Sequence, residues 1–279
     1  AHTGGLSKSH TALHILHLNY SVLFDRTPLG HFYAERGGFA ITLPEDPKAP
    51  LGKHGMMHRG DATRLALVYW FGGLYVDVDM IFVGNPRRLP ESFVSLQKDK
   101  RVEIDGLSAL DLNACPFRLS RPFHPFVKVM LDEFVSGYQG NRWGHQGPHV
   151  FMRAVTTFCD NEAKVRAPMR PEWCSELAVL PSSVVAPVHY SNVTAMLLGP
   201  NSLALENALD KATIVHLYQA ILKKQERRLC IVNYTAYQTS GLAAIRTRFC
   251  PLATRRILPT PDYAWTGPNG MSEHRRSRV

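Results

Sequence analysis

Between His58 and Trp70, the apolar residues Ala62, Leu65, Ala66 and Tyr69 recur three or four positions apart. That is the spacing of one helix face, and it predicts a helix here with Asp61 as an acidic residue near its start. Gly72-Gly73 ends this helix, and Leu74 to Asp79 reads as a short buried strand. Pro125 to Tyr138 predicts an amphipathic helix with Phe126, Val129, Met130 and Phe134 on one face. The pattern is weaker elsewhere. His14 to Phe24 reads as a strand leading into a short helix, Thr27 to Arg36 as a helix, and Ser92 to Gln97 and Leu107 to Phe117 as strands. A helix follows from His149 to Cys159, then late strands over Ala178 to Pro181 and Ala212 to Leu217, the second carrying His216, and a last helix from Gly241 to Phe249. Pro44 to Gly55 and Asn85 to Pro90 are loops. Helices alternating with short buried strands predict an α/β fold.

Composition narrows the class. The chain has 279 residues, 45% of them hydrophobic and 20% charged, as in an ordinary globular protein able to bury a core. Leu65 to Val83 comes closest to a membrane span but contains Asp77, Asp79 and a Gly-Gly break. The N-terminal residues show no basic region followed by an apolar core, and without an initiator Met the chain reads as a mature or truncated form. The net charge of +9 is concentrated partly in Arg255, Arg256, Arg275, Arg276 and Arg278. Residues 256–279 therefore read as a basic, disordered tail rather than a nucleic-acid site, because no zinc-finger spacing or RNA motif accompanies them. The five cysteines form no CxxC pair, which argues against zinc. Cys159 and Cys174 flank a polar loop and could bridge in an oxidising compartment. Sequons at Asn19, Asn192 and Asn233 add modest support for a secretory protein.

The chemistry centres on Asp77 and Asp79. Two half-buried carboxylates are costly unless their charge is compensated, and a divalent cation bound by oxygen ligands compensates it. On a strand, residues two apart point the same way, so both aspartates could share one metal at the strand's C-terminal end. A solvated strand end is the simpler explanation of Asp-x-Asp taken alone. Asp61 and Arg64, at i and i+3 of the preceding helix, could equally be a plain surface ion pair.

Five separated segments make a more specific pattern. They are Thr27-Pro-Leu-Gly-His-Phe-Tyr33, Asp61 to Asp79, Trp143-Gly-His-Gln-Gly-Pro148, Ile214-Val-His-Leu-Tyr218 and Phe249-Cys-Pro251. In this order they resemble the α-1,4-glycosyltransferase family, whose members carry a DXD sugar-transferase region. The resemblance runs from Leu13 to Pro251. It implies a GT-A fold, a Rossmann-like mixed β-sheet flanked by helices, over residues 1–255. The family usually has a longer N-terminal part with a membrane anchor, a stem and a first strand unit, so this chain is expected to lack that unit and to be N-terminally incomplete.

The resemblance also implies roles. Asp77 and Asp79, completed by His216, would hold Mn²⁺ or Mg²⁺, which stabilises the diphosphate leaving group of a UDP-sugar as a Lewis acid. Asp61, Arg64 and Asn113 would bind the donor sugar. Gln146 would face the sugar's β-side, and since an amide is a poor nucleophile, it favours front-side attack. Trp143 and His145 would offer an acceptor platform. Each has a plainer alternative: a structural histidine, a loop amide bonding local backbone, a strand-end turn. The sequence departs from the family at Phe117 to Pro122, where an acidic cluster is usual; at Lys223-Lys224, a displaced lysine pair; and at Val185 to Tyr190, which bears on acceptor choice. The expected activity is that of a retaining hexosyltransferase, galactosyltransferase-like, moving a sugar to a galactoside-terminated glycolipid or glycan in the Golgi lumen. Galactose is the leading donor sugar, with GlcNAc and GalNAc open. Nucleic acid is not an expected partner, and membrane contact would run only through an anchor outside this chain. A catalytically inactive glycan- or nucleotide-sugar-binding relative is the alternative, and metal-assisted phosphate-ester hydrolysis ranks last.

Overall fold

The computed structural model describes residues 17–37, 49–159, 177–222 and 239–250. In chain order these form α1 (Tyr20–Phe24), α2 (Pro28–Glu35), α3 (Gly55–Phe71), β1 (Gly73–Tyr75), β2 (Met80–Phe82), β3 (Phe93–Ile104) and β4 (Leu107–Leu119). Then come α4 (Pro125–Ser136), α5 (Pro148–Phe158), β5 (Ala178–Leu180), α6 (Ser182–Val185), α7 (Leu203–Lys211), β6 (Ile214–His216) and α8 (Gly241–Phe249). A 3₁₀ turn at Pro86–Arg88 and a π-turn at Thr194–Leu198 lie between them. The chain divides into two compact units: residues 1–76 with 90–180, and residues 77–89 with 181–279.

The first unit is built on a four-stranded sheet in the order β1-β4-β3-β5. β4 runs antiparallel to β1 and β3, while β5 runs parallel to β3. The sheet is therefore mixed. α3 packs against β1 and β4, and α5 packs against β4. A mixed sheet flanked by helices is the layout of a GT-A-like, Rossmann-type fold, as the sequence predicted. Phe24, Phe32, Tyr33, Leu65, Phe117 and Phe134 are wholly enclosed in its core. The second unit pairs β2 antiparallel with β6 and buries Val193, Leu197, Leu205, Val215 and Ile245.

Local chemistry accounts for the boundaries. Thr27 Oγ1 accepts from the amide of Leu29 at 3.2 Å and Pro28 occupies the first helical position, so α2 is capped at its start. Ser240 caps α8 in the same way, through Ala243 N at 3.2 Å. α3 stops at Gly72, whose φ of +63° favours glycine; a Cβ there would also lie 2.7 Å from the backbone of Arg121. Between β3 and β4, Asp105 (φ 50°) and Gly106 (φ 78°) form a two-residue hairpin turn with both centres left-handed.

Three expectations need correction. α3 begins at Gly55, so Asp61 is a buried interior residue of the helix and not part of its first turn. The chain can enter the helix there because Gly55 sits against Leu51, where a Cβ would meet Leu51 Cβ at 2.6 Å. The strand predicted from Leu74 to Asp79 is only three residues long: β1 pairs with β4 as far as Tyr75, and the chain then leaves that sheet. Residues 17–19 of the strand predicted before α1 have no regular structure, and residues 14–16 lie outside the described set, as do the tail 256–279, Lys223-Lys224 and Cys174. Cys159 is disulfide-bonded.

Candidate functional site

The two aspartates sit where the chain enters the second unit. Val76 and Asp77 follow β1 without regular structure, and Val78 and Asp79 form a turn that leads into β2. The turn, not a shared strand face, brings the carboxylates together. It exposes Val78 fully, at 101%, while Asp77 and Asp79 stay half-buried on either side. β2 pairs with β6 in a register that sets Met80 opposite His216, which brings the imidazole beside Asp79. His216 Nε2 lies 3.3 Å from Asp79 Oδ1, with the two side chains 12% and 18% exposed.

Asp79 is held from several directions. Its carbonyl accepts from Leu217 N at 2.9 Å, and its Oδ2 accepts from Gln219 N at 2.9 Å. The hydrogen bond from His216 holds its carboxyl below the usual carboxylate range; the Gln219 amide acts in the same direction and partial burial opposes it. Ligand atoms of Asp77, Asp79 and His216 all lie within 4.8 Å of one another. Two carboxylates and an imidazole are an oxygen-and-nitrogen donor set suited to Mn²⁺ or Mg²⁺. His216 Nδ1 is buried and has no hydrogen-bond partner among the described residues. The donor set fits a divalent cation, with His216 Nε2 as the nitrogen that faces Asp79.

The first unit gathers a different group. Asp61 and Arg64 are one turn apart on α3, and Arg64 Nη2 lies 3.3 Å from Asp61 Oδ1, with both side chains largely buried. Arg64 Nη1 also donates to Ala114 O at 3.3 Å, and the guanidinium lies over the Tyr75 ring, 5.2 Å from its centroid. Asn113, the neighbour of that carbonyl on β4, is 7% exposed, and its Nδ2 has no hydrogen-bond partner among the described residues. A buried amide donor without a partner beside a clamped guanidinium is suited to a polar ligand.

The loop before α5 is held tightly. Gln146 is buried: its Nε2 donates to Phe134 O at 2.6 Å, and its Oε1 accepts from Gln139 N at 3.4 Å and meets His145 Nδ1. His145 is also buried, and its Nε2 lies 3.2 Å from Asp105 Oδ2. Burial pushes the His145 imidazole below its ordinary value despite that carboxylate. Asp105 in turn pairs with Arg142 at 2.6 Å and approaches Arg153 at 3.6 Å. Asp105, His145 and His149 could geometrically hold a metal, but the two guanidiniums beside Asp105 already supply its counter-charge. Trp143 alone of this loop's ring side chains stands out, 70% exposed.

Asp105 and Tyr218 are structural partners of these groups to which the sequence pattern assigned no role. Asp105 carries a signal, since Asp-Gly between two strands marks a hairpin. Tyr218 closes the Ile214-to-Tyr218 segment of the family-like pattern, but its stack on His216 is seen only in the structure.

Residues 120–256 match the alpha 1,4-glycosyltransferase conserved region, and residues 18–96 match the glycosyltransferase sugar-binding region containing the DXD motif. The lactosylceramide 4-alpha-galactosyltransferase of Mus musculus is 27% identical over 240 residues, covering 86% of this chain and 57% of that protein. The alpha-1,4-N-acetylglucosaminyltransferase of Homo sapiens is 30% identical over 102 residues, 37% of this chain and 26% of that protein. Among solved structures, the PaToxG glycosyltransferase aligns over 53% of this chain and 48% of that one, at 22% identity and a TM-score of 0.35. The chain spans 57% and 58% of the length of the Mus musculus and Homo sapiens galactosyltransferases. It is similar at the family level to lactosylceramide α-1,4-galactosyltransferase and the related α-1,4-glycosyltransferases.

Proposed function

We propose that this chain carries the catalytic domain, over residues 1–255, of a retaining hexosyltransferase. It moves a sugar, galactose first among the candidates, from a UDP-sugar to a galactoside-terminated glycolipid or glycan in α-1,4 linkage. The observation that carries this reading is the convergence of Asp77, Asp79 and His216 within 4.8 Å next to a sugar-binding region match. These three residues would hold Mn²⁺ or Mg²⁺. When bound, such an ion offsets the negative charge that develops on a departing diphosphate.

The chain's own residues do the rest. Asp61 offers carboxylate oxygens to sugar hydroxyls, and the Arg64 guanidinium, fixed by Ala114 O and Tyr75, holds that carboxylate in place. Asn113 Nδ2 is the amide donor for a hydroxyl. Gln146 acts as a positioning residue: with its amide bonded to Phe134, Gln139 and His145, it shapes the loop that bears Trp143. This departs from the sequence-based role at the anomeric carbon, because the amide is enclosed by protein partners. Exposed Trp143 offers an apolar face to the C–H surface of an acceptor sugar. His145 instead ties the loop to Asp105.

A Golgi-lumen setting follows from the galactosyltransferase likeness and is supported by the disulfide at Cys159, since such bonds persist in oxidising compartments. Among the described residues no helix is long and apolar enough to cross a membrane. The enclosure of Gln146 favours a second reading, a glycan- or nucleotide-sugar-binding relative without turnover. A panel of UDP-galactose, UDP-GlcNAc and UDP-GalNAc with Mn²⁺ and lactose-type acceptors separates the two. An α-1,4-linked product seen by NMR supports the transferase. UDP-sugar binding without UDP release from any donor supports the binding relative.

A further inference from the structure

Three backbone and side-chain contacts wrap the segment after β6 around Asp79. Leu217 N donates to the Asp79 carbonyl and Gln219 N to its carboxylate, each at 2.9 Å, while His216 Nε2 lies 3.3 Å from the other carboxylate oxygen. The residue at the centre of this wrap is Tyr218. Its φ is +49°, in the left-handed region that a bulky L-residue rarely adopts. Such a conformation persists where surrounding contacts over-determine it, and it concentrates at functional sites.

One contact that holds it here is with His216. The two rings lie 3.9 Å apart, centroid to centroid, with only 23° between their planes. Tyr190 backs the tyrosine at 6.3 Å, close to edge-on, and itself lies 3.9 Å from His189. A stacked ring restricts rotation of the imidazole about χ2, which is the freedom a histidine must lose to act as a directed ligand. The left-handed turn at the same residue delivers the Gln219 amide to Asp79. One side chain and its own backbone thus fix two of the three members of the Asp77–Asp79–His216 group.

We propose that Tyr218 is a positioning residue for this centre, acting through the stack on His216 and the turn that binds Asp79. The inference rests on the reading that Asp79 and His216 hold a divalent cation. Outer residues that orient metal ligands typically change metal affinity by about 10- to 100-fold when altered.

Two variants separate ring from hydroxyl and from backbone. Tyr218→Phe keeps the stack and loses only the hydroxyl. Tyr218→Gly loses the stack but adopts positive φ without steric penalty, so the turn can be kept. The purified chain is titrated with Mn²⁺ alone, following the EPR signal of the free ion, and thermal unfolding of each apoprotein is recorded. Tyr218→Phe is expected to bind within about twofold of the wild type, and Tyr218→Gly about tenfold or more weaker, with no fall in the apoprotein's Tm. NMR of the apoproteins gives a metal-free readout: the upfield shift of the His216 ring protons should survive in Tyr218→Phe and vanish in Tyr218→Gly. Wild-type affinity in Tyr218→Gly, or an equal loss in both variants, overturns the inference while leaving the metal reading intact. If Asp79→Asn binds Mn²⁺ as tightly as the wild type, or the wild type binds none, the metal reading falls and the inference falls with it.

Discussion

Gly147 lies directly against the Asp61 carboxylate: a Cβ built on Gly147 would sit 3.0 Å from Asp61 Oδ1 and 3.1 Å from Oδ2. The loop before α5 thus lies so close to Asp61 that a side chain at 147 requires the carboxylate to give by a few tenths of an ångström. Gly147→Ala should push the carboxylate off Arg64 or lift the loop. Either response costs about 1–3 kcal/mol, the usual penalty of overpacking a dense interior. We expect a lower Tm and a raised KM for the UDP-sugar, measured by thermal unfolding and initial rates. An unchanged Tm and KM would mean that the loop yields freely.

Arg64 stands beside a carboxylate whose side chain is only 9% exposed. Arg64→Ala removes that cation from a buried charge and should destabilise the fold by about 3–5 kcal/mol. Arg64→Lys restores a charge but not the planar fork that reaches both Asp61 and Ala114 O, so it should recover only part of the loss. Urea denaturation of both variants checks the order.

The fold should also be acid-sensitive through His58. This residue is fully buried on α3, and burial, with a smaller push from His54, lowers its imidazole to about 4 from an ordinary 6.5. The unfolded chain therefore takes up a proton at a pH where the folded chain refuses it. Stability is retained above pH 6.5 and falls as pH drops from 6.5 towards 4, by about 3 kcal/mol from this residue. His145 and His149 are lowered as well and act in the same direction. Unfolding free energies measured from pH 7 to pH 4 should fall less steeply for His58→Phe, which keeps a ring to pack edge-on to Tyr138. Parallel pH profiles for the two proteins would exclude this source.

These groups differ in how well the sequence announced them. α8 spans Gly241–Phe249 as the spacing predicted, and β6 carries His216 at its end, because both are short segments bounded by strong local signals. The Gly72-Gly73 break was equally legible, since left-handed backbone leaves few residue choices. The strand around the aspartates was not. An apolar run from Leu74 looks continuous, but its ladder partner changes from β4 to β6 midway, and pairing over such sequence separation leaves no local trace. α7 was missed although Leu205 and Leu209 face inward one turn apart and Ser202 caps the helix through Leu205 N. The Asp105–Gly106 turn was readable as a hairpin, whereas the ion-pair network that Asp105 anchors was not, since Arg142 and Arg153 reach it only after folding.

Under the proposed function, Asp79, with Asp77 and His216, holds a divalent cation that sugar transfer requires. The most direct measurement is the initial rate of UDP release from UDP-galactose, with and without a galactoside acceptor. It is made on the wild type in Mn²⁺, on the wild type in EDTA, and on Asp79→Asn in Mn²⁺. Acceptor-stimulated release is expected from the wild type in Mn²⁺, with its loss in EDTA, recovery on adding the metal back, and a fall of about a hundredfold or more in Asp79→Asn, as befits removal of a charged ligand from a metal-assisted leaving group. Equal rates for the wild type and Asp79→Asn, or full activity in EDTA, would contradict it.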